Sequence, residues 1–328
     1  MDTLEWLEAF DLAAPEQRPE YAESSAWFAI DSFPFSDTLG HQLMARWSAI
    51  TFIFDDAYCE GISSKNASNR DATSFDTMAL ALIEALENPD STPGVNAPLT
   101  LAMRDFAHDV IRHYPPVVIN SIVDGWRQFV RGQRWQVDQR GSVPTLDTFF
   151  KGRIDNVAIW LTTVLAAPGS GLDLDEPTWQ TSLAQALILS GWSLPMIYNE
   201  WASYEKERAA GTSNINLVEV VEREYNTNLD EAVHETSRLH DQIMTVFLAI
   251  AHKCRERGGS FARWADFIEA AVAGNIVFHS RVARYAWPPD GPPVLCDQPR
   301  ADAETAQIPR RIREWWREAG LAPMRSET

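Results

Sequence analysis

Residues 230–254, DEAVHETSRLHDQIMTVFLAIAHKC, decide the fold class. Leu239, Ile243, Phe247 and Ile250 recur at three- and four-residue steps, with Val233 ahead of them, the spacing of one apolar helix face. Asn228 followed by Glu231 supplies an N-cap and a capping partner at the start. Comparable patterns run over 72–88, 98–113, 117–138, 145–166, 175–207 and 261–286. Sustained period-2 alternation and hairpin signals are missing. The expectation is an all-α protein.

Loops fall at 87–98, 166–177 and 208–216, where Pro, Gly, Asn and Ser cluster. None reads as an interdomain linker, and no internal repeat is evident. The expected organisation is one helical domain over 21–320, a loosely ordered N-terminal segment over 1–20 and a polar tail over 321–328. Pro288-Pro289 should stop the last core helix, and 302–320 has the pattern of one more amphipathic helix.

Composition narrows the function. The 328 residues carry a net charge of −18, which repels nucleic acid and anionic lipid; no basic stripe offsets it. An anionic ligand must therefore be held by a few local cations or by metal ions. Thirteen tryptophans exceed what packing asks for and suit a contoured apolar pocket. The three cysteines, without CxxC spacing, read as free thiols of a reducing compartment. With no signal-peptide pattern and no membrane-length apolar run, a cytoplasmic protein without membrane insertion is expected.

Four features carry chemistry. Asp55-Asp56-Ala57-Tyr58-Cys59-Glu60 follows the apolar run 49–54, and carboxylates abutting a buried segment are costly unless a cation neutralises them. Asp56 and Glu60 are four apart, with Asp55 one step round; the oxygen donors suit Mg²⁺, while a solvated helix end is the plainer reading. Asn199, Ser203 and Glu207 share a second stripe, with Lys206 beside them in reach of a phosphate, although an exposed polar face would look the same. Arg153 lies among aromatic and aliphatic residues; a guanidinium can grip phosphate oxygens, or the side chain can snorkel. Arg284-Tyr285 closes the helical run before Trp287, either as a ligand pair or as a dipole-compensating end.

In order and spacing, these elements resemble the microbial class I terpene synthases over residues 25–287. The aromatic lead-in and Asp pair match the first motif of that family. Asn199-Glu200, Ser203 and Lys206-Glu207 match its N(D/E)xxSxxKE pattern, and Arg153, 46 residues before Asn199, stands where the family has its diphosphate-sensing arginine. Arg284-Tyr285 matches the C-terminal RY pair. There are departures: the last acid of the first motif comes one residue late, at Glu60, with Cys59 in its usual place. Asn156 and Val157 stand where an acid or Thr and a Gly are common. The DDxYCE form is similar to that of 2-methylisoborneol synthases.

The resemblance implies a helical bundle around a hydrophobic cavity and an enzyme, a lyase acting on prenyl diphosphates. Three Mg²⁺ ions would be held by Asp55, Asp56, Glu60, Asn199, Ser203 and Glu207. Arg153, Lys206, Arg284 and Tyr285 would bind the diphosphate. Phe52, Trp160, Trp192, Tyr198 and Phe278 would wall the pocket, and His279 is either a late base or a core histidine. Farnesyl diphosphate is the expected substrate, with geranyl or 2-methylgeranyl diphosphate as alternatives, and a cyclic hydrocarbon or alcohol the product. A monomer or homodimer is expected. Chain elongation would need a second Asp-rich motif where Asn, Ser and Glu stand. A His/Asp phosphohydrolase lacks its ligand pairs, and a non-catalytic binding module has no use for this ligand set, while Cys59, Asn156 and Val157 leave as an alternative a catalytically impaired family member acting as a binding protein.

Overall fold

A computed structural model of the chain describes residues 2–60, 72–139, 141–174, 177–285 and 313. Its regular elements are helices: α1 (Thr3–Ala9), α2 (Arg18–Ser32), α3 (Thr38–Asp55), α4 (Ala72–Glu87), α5 (Pro98–His113), α6 (Pro116–Asp138), α7 (Leu146–Asn156), α8 (Ile159–Gly169), α9 (Ser182–Ala210), α10 (Leu217–Tyr225), α11 (Leu229–Arg257) and α12 (Gly259–Arg281). The all-α expectation holds, and among the described residues no helix is long and apolar enough to cross a membrane.

Local chemistry explains the ends. Asp37, Thr145, Thr181 and Asn216 each cap the helix that follows, and Asn228 and Glu231 form the expected capping box. Pro98 and Pro116 occupy first helical positions, where the missing N–H costs nothing. Gly211 ends α9 in the left-handed region (φ 71°), which a side chain would disfavour.

α8 is buried on nearly every side and is crossed by α3, α6, α7 and α9, so its apolar residues need no polar face. α2, α3, α6, α7, α9 and α12 surround a common space. Gly132 allows α6 to approach α7 very closely: a Cβ there would sit 2.1 Å from the Asn156 nitrogen. That contact sets the position of Arg153 and Asn156.

Several expectations are corrected. The helix expected over 145–166 is broken at Val157-Ala158, where Ala158 takes a left-handed conformation (φ 57°, ψ 34°). An L-residue in that region costs about 1–2 kcal/mol. The N-terminal segment over 1–20 is not loose: α1 has a capping box, Trp6 and Leu7 are fully buried, and Trp6 Nε1 donates to Asp105 (2.7 Å). α10 was not anticipated. Val233 is 41 % exposed, because six residues before Leu239 is more than a quarter-turn off the stripe. The last core helix stops at Arg281. The Pro288-Pro289 stop, the 302–320 helix and the 321–328 tail lie outside the described residues, Arg313 excepted.

Candidate active site

A cavity of 420 Å³ opens between α3 and α9, within the range of small-molecule sites. Phe28, Phe52, Phe129, Trp192 and Phe278 supply aromatic walls, and Asp55, Asn199, Ser203, Lys206 and Glu207 supply polar groups. Trp192 Nε1 donates to Thr163 Oγ1 (3.0 Å), which satisfies its polar tip and leaves the ring for the wall.

Trp160 and Tyr198 do not line this space. Ala158 and Thr162 do, and Trp160 lies midway between them on the opposite face of α8. Tyr198, one position before Asn199, turns its ring to Trp201 and His279 instead.

On the α3 wall, Phe52 and Asp55 face the cavity one helical turn apart. Beyond Asp55 the chain enters a π-helical turn over Asp56–Glu60, closing i to i+5. Such a turn accommodates one extra residue between the first acid and the last. The Glu60 side chain lies outside the described residues.

Asp56 departs from its expected place as a metal ligand, since it is buried beside the cavity and not on its lining. Arg284 Nη1 and Nη2 donate to its two oxygens (2.7 Å each), and the Tyr21 hydroxyl donates to Oδ2 (2.7 Å). Burial alone would raise the Asp56 carboxyl, but the Arg284 charge and hydrogen bonds override it and hold the group below its usual value. Burial, then the Asp56 charge, pushes the Tyr21 phenol up, so it remains a donor. Arg284 also lies over the Phe52 ring (4.8 Å).

On the α9 wall the balance is reversed. Burial, followed by the Glu200 charge, pushes Glu207 up to about 7. Arg153 and an Asn216 hydrogen bond (3.0 Å) only partly offset this. Ser203 Oγ is buried, and although the hydroxyl favours the charged form of Glu207, it makes no hydrogen bond of good geometry.

Arg153 reaches across from α7. Its Nε and Nη2 contact Glu200 Oε1 (2.8 and 2.7 Å), Nη2 donates to Asn199 Oδ1 (2.9 Å), and Nη1 donates to Asn156 Oδ1. Burial opposes its charge, yet the Glu200, Glu207 and Asp55 carboxylates keep it firmly protonated. Asp55 of the α3 wall lines the same cavity as Arg153 and as Asn199, Ser203 and Glu207 of α9.

Asn199 Nδ2 donates to Tyr285 Oη (3.1 Å) and lies 3.2 Å from His279 Nε2. Burial pushes His279 down to about 4, so the ring is neutral. With Nδ1 donating to the Asn275 carbonyl (2.8 Å), Nε2 is the acceptor and meets the Asn199 amide. The lone pair of this expected late base is thus engaged by Asn199.

The sequence reading missed Tyr21, Gln133, Gln136 and Asn216 as parts of the site, and did not foresee Glu200 as the buried partner of Arg153. Glu200 had a signal, since it stands inside the second motif; a carboxylate beside an apolar stripe implies a counter-charge. Tyr21 had none.

Carboxylate, amide and hydroxyl oxygens around an electron-rich wall fit a hard divalent cation. The buried Ser203 hydroxyl and the raised Glu207 are the features such an ion would satisfy. No group of three His, Cys, Asp or Glu converges among the described residues, so the amide and hydroxyl are needed to complete a ligand set.

Residues 46–245 match the family model described as terpene synthase family 2, C-terminal metal binding. The chain is 25 % identical to a (+)-T-muurolol synthase of Streptomyces clavuligerus, described as farnesyl diphosphate cyclizing, over 81 % of this chain and 65 % of that one. It is 24 % identical to a 4-epi-cubebol synthase of Streptosporangium roseum with the same descriptor, over 87 % of each. Among solved structures, an ancestral reconstruction called SVS_A2 superposes with a TM-score of 0.81 at 22 % identity, covering 97 % of this chain and 93 % of that one.

Proposed function

The chain belongs to terpene synthase family 2, the microbial class I terpene synthases, and from that membership we propose that it cyclises farnesyl diphosphate with release of diphosphate. One observation carries the reading. The buried Ser203 hydroxyl and the raised Glu207 carboxyl on α9 line the same aromatic cavity as Asp55 and Asn199, with Arg153, Lys206, Arg284 and Tyr285 around them. Relatives described as cyclising farnesyl diphosphate support the substrate.

The family description implies a divalent metal. We assign it as Mg²⁺, three ions, held by Asp55, Asn199, Ser203 and Glu207; bound there, it supplies Lewis-acid polarisation of the diphosphate oxygens. Arg153 binds the diphosphate through a guanidinium already oriented by Glu200 and Asn156. Arg284 serves through its pairing with Asp56, which fixes the segment after α12 against α2 and the end of α3. The residues below the mouth exclude water, and the faces of Phe52, Trp192 and Phe278 stabilise positive charge by about 0.5–2 kcal/mol each.

The test is incubation of purified protein with geranyl, 2-methylgeranyl, farnesyl and geranylgeranyl diphosphates, with Mg²⁺ or EDTA. Products are read by gas chromatography–mass spectrometry and diphosphate by a coupled assay. A cyclic product from farnesyl diphosphate, lost with EDTA and in Asn199→Ala, is expected. A product from 2-methylgeranyl diphosphate alone would favour the reading suggested by the 55–60 motif. No product and no diphosphate from any substrate would overturn the cyclase assignment.

A further inference from the structure

Trp192 stands seven residues before Asn199 on α9, so the two share a helix face, with Trp192 about 10 Å deeper along the helix. It lies on the cavity lining and is 5 % exposed. Its Nε1 donates to Thr163 Oγ1 (3.0 Å) on α8, and the Thr163 hydroxyl in turn donates to the Ile159 carbonyl (2.7 Å). The hydroxyl hydrogen is thus committed within α8, which leaves an oxygen lone pair for an indole that can only donate. Phe33 packs against the same ring at a tilt, the centroids 6.1 Å apart.

Burial alone does not account for this pairing. Trp47, Trp126 and Trp264 are buried as deeply, and the Nε1 of each has no hydrogen-bond partner. Thr163 itself is fully buried and off the lining, so it reaches a substrate only through the indole. An indole set free from such an anchor can turn about χ2, a torsion with broad wells. Turning matters in this cavity, because the face of the ring attracts positive charge and its edge does not.

We propose that Thr163 is a positioning residue: its hydroxyl holds the Trp192 indole in one orientation, and with it the contour that decides which cyclisation product forms. This rests on the cyclase reading above. The metal and diphosphate groups are untouched by the bond, so ionisation keeps its own rate.

The test compares Thr163→Val, Thr163→Ser, Trp192→Phe and the double variant Thr163→Val/Trp192→Phe, each with Mg²⁺ and the prenyl diphosphate that wild type turns over. Val keeps the shape of the side chain and removes the acceptor, whereas Ser keeps the acceptor. In Thr163→Val the ratio of the main product to the others should change about fivefold. Thr163→Ser should keep the wild-type ratio, and diphosphate release should stay within about twofold in both. Thr163→Cys, whose sulfur is a weak acceptor, stands in where the Val variant does not fold and should move the ratio the same way. Adding Thr163→Val to Trp192→Phe should change nothing further, since Phe has no N–H to hold. A wild-type ratio in Thr163→Val, or a shift that persists undiminished in the Trp192→Phe background, overturns the proposal. A second readout needs no turnover. In protein labelled with 5-fluorotryptophan, the fluorine resonance that Trp192→Phe removes should move or broaden in Thr163→Val and stay in place in Thr163→Ser; a resonance that ignores Thr163→Val also overturns the proposal. Wild-type protein that forms no product, with that resonance still moved by Thr163→Val, would sink the cyclase reading and leave the Thr163 anchor standing.

Discussion

The α3 and α9 walls of the cavity mouth both carry buried carboxylates, and they settle that charge differently. In the turn that follows α3, Asp56 receives three hydrogen bonds, two from a guanidinium, and is held below its ordinary value. On α9, Glu207 has no such counter-ion, and burial pushes it up to about 7. The first wall is neutralised from within the chain and serves to lock α2, α3 and the segment after α12 together. The second keeps an electrostatic deficit that a proton or an added cation relieves. Two acidic motifs of similar composition therefore do different work, and the difference lies in who supplies the positive charge.

Replacing Glu207 by Gln is the severest test of that contrast. Diphosphate release should fall about 1000-fold, since the group acts on charge at the reacting end. Urea denaturation of the same variant without metal should show stability held or raised, because a buried charge has been removed. A destabilised variant would show that Glu207 is already compensated.

Arg284→Leu probes the other wall. It strands Asp56 without its counter-charge and should cost about 3 kcal/mol, read from the urea midpoint. An unchanged midpoint would mean that Asp56 turns to water and the lock is dispensable.

The walls should also respond to pH with opposite signs. Between 4.5 and about 7, native Glu207 holds a proton that the unfolded chain has released. The metal-free protein therefore loses stability on this account as pH rises through that window. Asp56 is depressed below 3.8, so its contribution is fully present above 3.8 and is lost as pH falls through its native value. Stability measured in EDTA for wild type and Glu207→Gln should diverge between pH 4.5 and 7, wild type gaining on the variant as pH falls. A constant difference would mean that Glu207 is not raised in the native protein. The smallest effect is expected for Tyr21→Phe, about 1 kcal/mol in urea, because Arg284 still satisfies both Asp56 oxygens.

Much of this site could be read from residue spacing. Asn199, Ser203 and Glu207 lie on one continuous helix, so a four-residue step places them on one stripe whatever the rest of the fold does. Phe52 and Asp55 follow the same rule. Reading failed where a position depended on a helix break or a partner from afar. Nothing in Asn156-Val157-Ala158 announces a break, since Ala favours helix, and without the break the phase of Trp160 cannot be assigned. Asp56 beside Asp55 looks like a second ligand until Tyr21 and Arg284, 35 positions before it and 228 after, are brought to its oxygens.

Residue order alone accounts for the helices, the oxygen-rich stripe on α9 and the family, because each depends on periodicity or spacing within a short stretch. Packing decided the rest: which acid is neutralised, and which aromatic rings reach the cavity. Those outcomes turn on contacts between distant segments, and the charge and burial of a side chain are properties of everything packed around it.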